Sequence, residues 1–318
     1  MKPSLDHLNL IKSKWNLKGQ LKLVRKVENW IYRSDDGDLF FRVTQPTHRS
    51  IEQLQSELQW MFFLKEQGVH FAHPLKSNNL NLIETIEVDK DIFFVSAFAR
   101  AKGIPLINEA DFSEIRMQNW GKIIGDLHRV SQGHKVPSST SKRPEWNEEG
   151  NHRITMNFCH NENEFHERFT QLRNWMQSLE KNKNSYGLIH ADLHHGNFFV
   201  DKNDKLTIFD FDDCHYNWFL YDLAVPIFTL SISLRKSHKE KIDELINWFV
   251  KGYHKSGVLN ENWLKKLPAF ILYRHFTIYF WGVKNINHQE LTPEAREWIK
   301  MAIEYCRNFI DRYDLNTL

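Results

Sequence analysis

The spacing of apolar positions changes character along the chain. From Leu21 to Thr44 it reads as strand: LKLVRKVENWIYRS, a turn at Asp35-Asp36-Gly37, then DLFFRVT. β-branched and aromatic residues dominate both runs, so a hairpin is predicted. Ile51, Leu54, Leu58, Met61, Phe62 and Lys65 then recur at three- and four-residue intervals, predicting a helix that stops near Gly68, with Pro74 beyond it. NLIETI from Asn81 and DIFFVSAF from Asp91 return to strand, the second apolar enough to be buried on both faces. Past Gly103 and Pro105 the period lengthens. Asp111 and Glu114 have the spacing of a capping box, and Trp120, Ile123, Ile124, Leu127 and Val130 share one helical face. Ser131 to Arg153 reads as a long polar connection, followed by a helix with Phe165, Phe169, Leu172, Met176 and Leu179 in register. A loop-and-strand island beyond Tyr186 gives way to helices, the last opened by Thr292 as cap and Pro293 at its first position.

At 318 residues and 41% apolar content the chain is long enough for two domains or one large one, and it can bury a core. Its 42 basic and 40 acidic residues leave a net charge of +2, which argues against a dedicated nucleic-acid binder. Cys159, Cys214 and Cys306 form no paired framework, so a reduced, cytoplasmic setting is expected. Met1 to Gly19 lacks the apolar run of a signal peptide. Leu223 to Leu234 is too short for a membrane span and contains Pro226, while Phe270 to Trp281 is interrupted by Arg274 and His275. No membrane association is expected.

The chemistry is concentrated in LIHADLHHGNFFVDKNDKLTIFDFDD, Leu188 to Asp213. His190, Asp192 and Asn197 fit H-x-D-x-x-x-x-N, the spacing of a kinase catalytic loop, in which the Asp accepts a hydroxyl proton and the Asn holds Mg²⁺. Phe198 to Val200 and Leu206 to Phe209 read as two strands joined by a polar turn, so Asp210 follows the second strand. Transfer of a γ-phosphoryl group needs oxygen ligands for a hard cation and a carboxylate beside the attacking hydroxyl, and Asp192, Asn197 and Asp210 meet those needs.

The stretch resembles the superfamily of aminoglycoside phosphotransferases, choline kinases and homoserine kinases. The likeness extends to Lys26 to Tyr32, Phe41-Arg42-Val43, Ser56-Glu57-Leu58, Gly125-Asp126-Leu127-His128 and Asp210-Phe211-Asp212-Asp213 with Tyr221-Asp222-Leu223-Ala224. It implies an α+β, two-lobed protein kinase-like fold, with a β-rich nucleotide-binding lobe over residues 1–99 and a mainly helical catalytic lobe over residues 100–318. It also implies an ATP- and Mg-dependent phosphotransferase acting on a small-molecule hydroxyl such as that of an aminoglycoside, an amino alcohol or homoserine. By the resemblance Asp192 is the base, Asn197 and Asp210 hold the metal with Asp212 as an added carboxylate, and Asp222 anchors the loop. Arg42 stands where relatives usually have Lys and can grip phosphate with Glu57 as its partner. The first hairpin has no G-x-G-x-x-G, and Asn29 can supply a substitute donor.

Alternative readings are a bacterial Ser/Thr protein kinase of the same fold and a nucleotide-binding relative without turnover. A Zn²⁺ or Fe hydrolase built on Asp192, His194 and His195 is a weaker alternative, since adjacent histidines seldom point to one metal. His190 reads as structural, Asp126 and His128 as solvated or capping groups, and Arg235 to Lys241 as a solvated helix face. Trp248, Trp263, Tyr273, Phe276, Tyr279, Phe280 and Trp281 read mainly as core, and Cys214 as a plain buried thiol.

Overall fold

The computed structural model describes residues 2–26, 28–136, 142–148, 163–287 and 291–314. In chain order the elements begin with α1 (Leu5–Lys14), β1 (Leu21–Lys26), β2 (Trp30–Ser34), β3 (Leu39–Thr44), α2 (Ile51–Glu66), β4 (Pro74–Leu75), β5 (Glu84–Val88) and β6 (Asp91–Ala99). There follow α3 (Glu114–Ser131), α4 (Asn163–Ser178), β7 (Tyr186–Ile189), β8 (Phe198–Val200), β9 (Leu206–Ile208) and β10 (His215–Trp218). The remainder is helical: α5 (Phe219–Ser233), α6 (Lys239–Tyr253), α7 (Glu261–Leu264), α8 (Leu267–Asn285) and α9 (Pro293–Arg312).

The chain forms two compact units. The first comprises Met1–Pro105, Gly133–Arg143 and Phe198–Asp212. Its antiparallel sheet has the order β1-β2-β3-β6-β4, with β5 also paired to β6. The predicted hairpin is in fact three strands, because the run Leu21 to Ser34 folds on itself at Glu28 and Asn29 and pairs β1 with β2. Trp30, Tyr32, Phe41, Val43, Phe93 and Val95 fill the core on one face, as period-two alternation requires. α1 is not among the predicted elements, since Asp6, Lys12 and Lys14 obscure its period. It is fixed by a capping box in which the Ser4 hydroxyl accepts the His7 amide. α2 begins the same way, at Ser50 and Gln53. The β8–β9 hairpin belongs to this unit, with Ile208 bridging to Phe71 and Val200 to Ile104.

The second unit comprises Leu106–Gln132, Pro144–Asn197 and Asp213–Leu318. β7 pairs antiparallel with β10, Ile189 opposite His215, and this pair delivers the chain into the His190–Asn197 loop and into α5. α3 packs on α6, and α8 on α5 and α9. The α3–α6 approach is close enough that a Cβ at Gly121 would stand 1.9 Å from the Phe249 carbonyl oxygen, and one at Gly252 2.0 Å from that of Gln118. Tyr273, Phe276 and Tyr279 are buried, whereas Trp248, Trp263, Phe280 and Trp281 are half-buried.

Two local expectations are corrected. α3 starts from Ser113, and the Asp111 carboxylate turns back to accept the amides of Ile107 and Asn108, so Asp111 and Glu114 form no capping box. His128 is fully buried rather than solvated, while Asp126 pairs with Lys122 and Arg129 near the surface. Of the predicted connection, residues 137–141 and 149–153 lie outside the described residues, but Ser131 belongs to α3, and Arg143 and Trp146 are buried. Cys159 also lies outside them; Cys214 and Cys306 are buried thiols in no disulfide among the described residues. Among the described residues no helix is long and apolar enough to cross a membrane.

Candidate active site

In the second unit the His190–Asn197 loop is held by α5 and α3. The Asp222 carboxylate at the first turn of α5 accepts the amides of His190 at 3.0 Å and Ala191 at 2.6 Å. The Trp120 indole on α3 donates to the Leu193 carbonyl at 3.1 Å. Ala191 has φ +66°, a left-handed conformation that a non-glycine residue keeps only where its surroundings enforce it. His128 completes the anchor, with Nε2 3.3 Å from Asp222 and Nδ1 3.0 Å from the Tyr253 hydroxyl. Burial keeps the His128 pKa below its usual value despite Asp222. Burial alone would raise the Asp222 pKa, yet its bonds to His128 and the loop amides hold it below the ordinary carboxylate range. A neutral imidazole donating to an ionised carboxylate follows.

On that loop Asp192 is partly exposed. Its Oδ1 accepts Arg274 Nη2 from α8 at 2.7 Å, and Arg274 itself is almost wholly buried. Its Oδ2 lies 3.4 Å from the Asn197 amide nitrogen and 3.7 Å from His194 Nε2. Asn197 Nδ2 also donates to the Asp192 carbonyl at 2.9 Å, so the orientation of the amide is fixed, and its buried Oδ1 has no hydrogen-bond partner among the described residues. An acceptor oxygen in that condition suits a hard cation. His190 is buried and its Nδ1 accepts the Asp192 amide at 3.4 Å, a structural role. Among the described residues His194 and His195 form no metal-ligating group with Asp192, and His195 packs edge-on against Phe112.

In the first unit Arg42 on β3 and Glu57 on α2 form a buried bidentate pair, Nη1–Oε1 2.8 Å and Nη2–Oε2 2.7 Å. Asp212 approaches Arg42 Nη1 at 3.6 Å. Burial works against the Arg42 charge, but Glu57 and Asp212, with Asp210 nearby, hold its pKa above the ordinary value. Asp212 is 4% exposed, and its carboxylate meets His48 at 2.9 Å, Asn29 Nδ2 at 3.3 Å and Arg49 Nε at 3.4 Å. Its carbonyl accepts Arg49 at 2.9 Å and Arg143 at 2.5 Å. Burial would raise the Asp212 pKa; Arg49, His48 and Arg42 hold it well below the carboxylate range. Asp210 by contrast is exposed and has φ +66°. Glu28, His48 and Asp212 place ligand atoms within 4.8 Å of one another, but the Asp212 oxygens already face two guanidinium groups.

Sequence reasoning did not single out Arg49, Arg143, His48 or Arg274. For Arg274 a signal existed: a lone cation inside an aromatic helix requires a buried anion to face. Arg49 and Arg143 lie in polar stretches with no such contrast.

Comparison with known proteins decides the class. A family model described as the phosphotransferase enzyme family matches residues 22–238. The chain belongs to that family. A relative from Bacillus subtilis (strain 168), amicoumacin kinase, is 30% identical over 268 residues, covering 82% of this chain and 79% of its own. Among solved structures, that of amicoumacin kinase hAmiN in complex with AMP-PNP, Ca²⁺ and Ami superposes with a TM-score of 0.83 at 24% identity, over 98% of this chain and 97% of that one. A microcompartment-associated aminopropanol kinase gives a TM-score of 0.75 at 21% identity, over 96% and 95%. The phosphotransferase fold is therefore the kinase-like one expected, an antiparallel sheet region followed by a helical part. As a member of the phosphotransferase family the chain is a nucleotide-using kinase with the hydroxyl of a small molecule as acceptor.

Proposed function

We infer that the protein transfers the γ-phosphoryl group of ATP, with Mg²⁺, to a hydroxyl of an amicoumacin-like or other amino-alcohol acceptor, in the cytoplasm. The observation that carries this reading is the Asp192–Asn197 pair: a carboxylate on a rigidly anchored loop beside an amide whose buried oxygen has no hydrogen-bond partner among the described residues. Asn197 and the exposed Asp210 would hold the cation. Bound there, the cation would neutralise phosphate oxygens as charge shifts in the transition state. Asp212, enclosed by Arg42, Arg49 and His48, balances the two guanidinium charges and fixes Arg42, and a ligand role for it would require those contacts to yield.

Asp192 would orient the acceptor hydroxyl and take its proton as the new P–O bond forms and the bond from the γ-phosphorus to the leaving β-phosphate oxygen breaks. Arg42 and Asn29 would contact phosphate. The protein contributes mainly placement and charge, since this reaction asks for little covalent help. The resemblance to amicoumacin kinase over most of both chains makes amicoumacin the first acceptor to offer, followed by aminopropanol, choline, aminoglycosides and homoserine.

The test is incubation with Mg-ATP and each acceptor, with mass spectrometry of the acceptor and ADP release as readouts. One acceptor should gain a phosphoryl group. Asp192→Asn should then lose turnover by about 10²–10⁴-fold while still binding Mg-ATP. No phosphorylated acceptor and no ADP release would overturn the reading, and full turnover in Asp192→Asn would remove the base assignment.

A further inference from the structure

Arg274 presents a problem of its own. It projects from the middle of α8, is 3% exposed, and lies among aromatic rings, its guanidinium carbon 5.9 Å from the centre of Tyr221 and 5.8 Å from that of Phe228. Burying a guanidinium costs several kcal/mol unless a charge partner offsets it. A well-packed apolar residue would serve the helix at least as well if stability were the only demand.

The partner it meets is the Asp192 carboxylate, at 2.7 Å, and its Nη1 donates to the Tyr221 hydroxyl at 3.2 Å. Tyr221 is in turn 3.3 Å from the Thr277 hydroxyl, one turn along α8, so the guanidinium is braced from its own helix and from α5. Tyr221 and Asp222 are neighbours at the start of α5. The first steadies the group that grips the Asp192 side chain, and the second holds the backbone amides just before it. Backbone and side chain of the loop are thus referenced to the same helical turn.

We propose that Arg274 is a positioning residue for the phosphoryl-transfer reaction. It ties up Oδ1 of Asp192 and thereby sets Oδ2, which lies on the side of Asn197 and His194, as the oxygen presented to the acceptor hydroxyl. The Asp192 carboxylate is held through Nη2 of a guanidinium whose Nη1 is itself fixed on the Tyr221 hydroxyl, which restrains its rotation about the last bond. Reactions of this kind lose about 10²-fold when a reacting group is displaced by 1 Å, so removing that guanidinium should act on the chemical step more than on nucleotide capture. The inference rests on the functional reading above, through the role given there to Asp192.

The experiment is a double-mutant cycle of Arg274→Met and Arg274→Lys against Asp192→Asn, read as initial rates with labelled Mg-ATP. The acceptor identified above is used or, in its absence, water, with ADP as the product. Arg274→Met should lower kcat about 100-fold and move KM for Mg-ATP by less than about 3-fold, and Arg274→Lys should recover about a tenth or more of the lost rate. In the Asp192→Asn background, Arg274→Met should bring no further fall, because the group it acts through is already gone. Thermal unfolding of each variant confirms that folded protein is compared, and Arg274→Gln replaces Arg274→Met if the latter does not fold. An equal loss in both backgrounds, or a rise in KM with kcat unchanged, would overturn the positioning role while leaving the enzyme reading intact. A wild type that releases no ADP with any acceptor or with water would overturn both.

Discussion

Asp222 allows a cost to be worked out atom by atom. Its Oδ2 accepts the His190 amide and lies 3.3 Å from His128 Nε2, and its Oδ1 accepts the Ala191 amide at 2.6 Å. Asp222→Asn keeps the shape but has one acceptor where there were two. Placed with its oxygen toward His190 and His128, the amide nitrogen faces the Ala191 N–H, donor against donor; placed the other way, two such clashes arise. The better orientation loses one bond to a charged acceptor, about 1.5–3 kcal/mol, and weakens two others by about 0.5–1 kcal/mol each. The sum is about 2.5–5 kcal/mol in a fully buried site. Ala191, held at φ +66°, is the residue released, so the loop carrying Asp192 should relax as well. Urea unfolding monitored by circular dichroism measures the stability, and kcat with saturating Mg-ATP measures the loop. The expected result is a midpoint shift equivalent to about 3 kcal/mol and a fall in kcat of about tenfold or more. A change below about 1 kcal/mol with unaltered kcat would refute the idea that these bonds hold the loop.

Other consequences are as direct. The His275 ring is stacked on Phe309 with centroids 3.7 Å apart, and burial, with Arg274 adding to it, depresses its pKa from 6.5 to about 4. The unfolded chain therefore binds a proton at this residue before the folded one does, and stability should fall as pH drops from about 6.5 to 4, by up to about 3 kcal/mol. Urea midpoints for His275→Phe should show a correspondingly flatter pH dependence. Arg42→Met leaves Glu57 and Asp212 without their shared cation and should cost about 3–5 kcal/mol in urea unfolding, whereas Arg42→Lys should cost less and still support measurable Mg-ATP binding by calorimetry. Gly252→Ala drives a methyl group into the backbone of α3 and should lower stability by ~2 kcal/mol or more, visible as a fall of several degrees in Tm.

What could be read from the chain was what lies close together along it. His190, Asp192 and Asn197 share one loop, and the β8–β9 run with Asp210 after it follows at once, so short-range spacing was enough to locate them. In the sheet region the types of β3, α2, β5 and β6 followed from period, whereas α1 and the two-residue β4 did not. The split of Leu21 to Ser34 into two strands was hidden because β propensity runs unbroken through the bend at Glu28 and Asn29. His128 was misjudged because its partner Asp222 is 94 residues away, and Arg274 lies 82 residues from Asp192. Such pairs are created by tertiary packing, and charge in a single sequence does not say which distant opposite charge it will meet. The cluster at Asp212 shows the same limit: its proximity in sequence to Asp210 suggested a shared ligand role, but burial surrounds it with Arg42, Arg49 and Arg143, drawn from three separate stretches.

The glycine contact between α3 and α6 also bears on how the enzyme could be altered in the laboratory. At these two points the helices touch through main-chain atoms, which cannot be trimmed to make room for an added side chain, and the rings packed beside them, Trp120 on Phe249 and His128 on Tyr253, cannot relieve a backbone clash. A library randomising Gly121 or Gly252 would consist largely of unfolded clones, and most substitutions there would be silent about catalysis because little protein would survive to be assayed. Phe280 and Trp281, half-buried on α8, offer the contrast: their rings meet other rings, Phe169 and Trp298, that can repack, so a library there should keep far more folded clones.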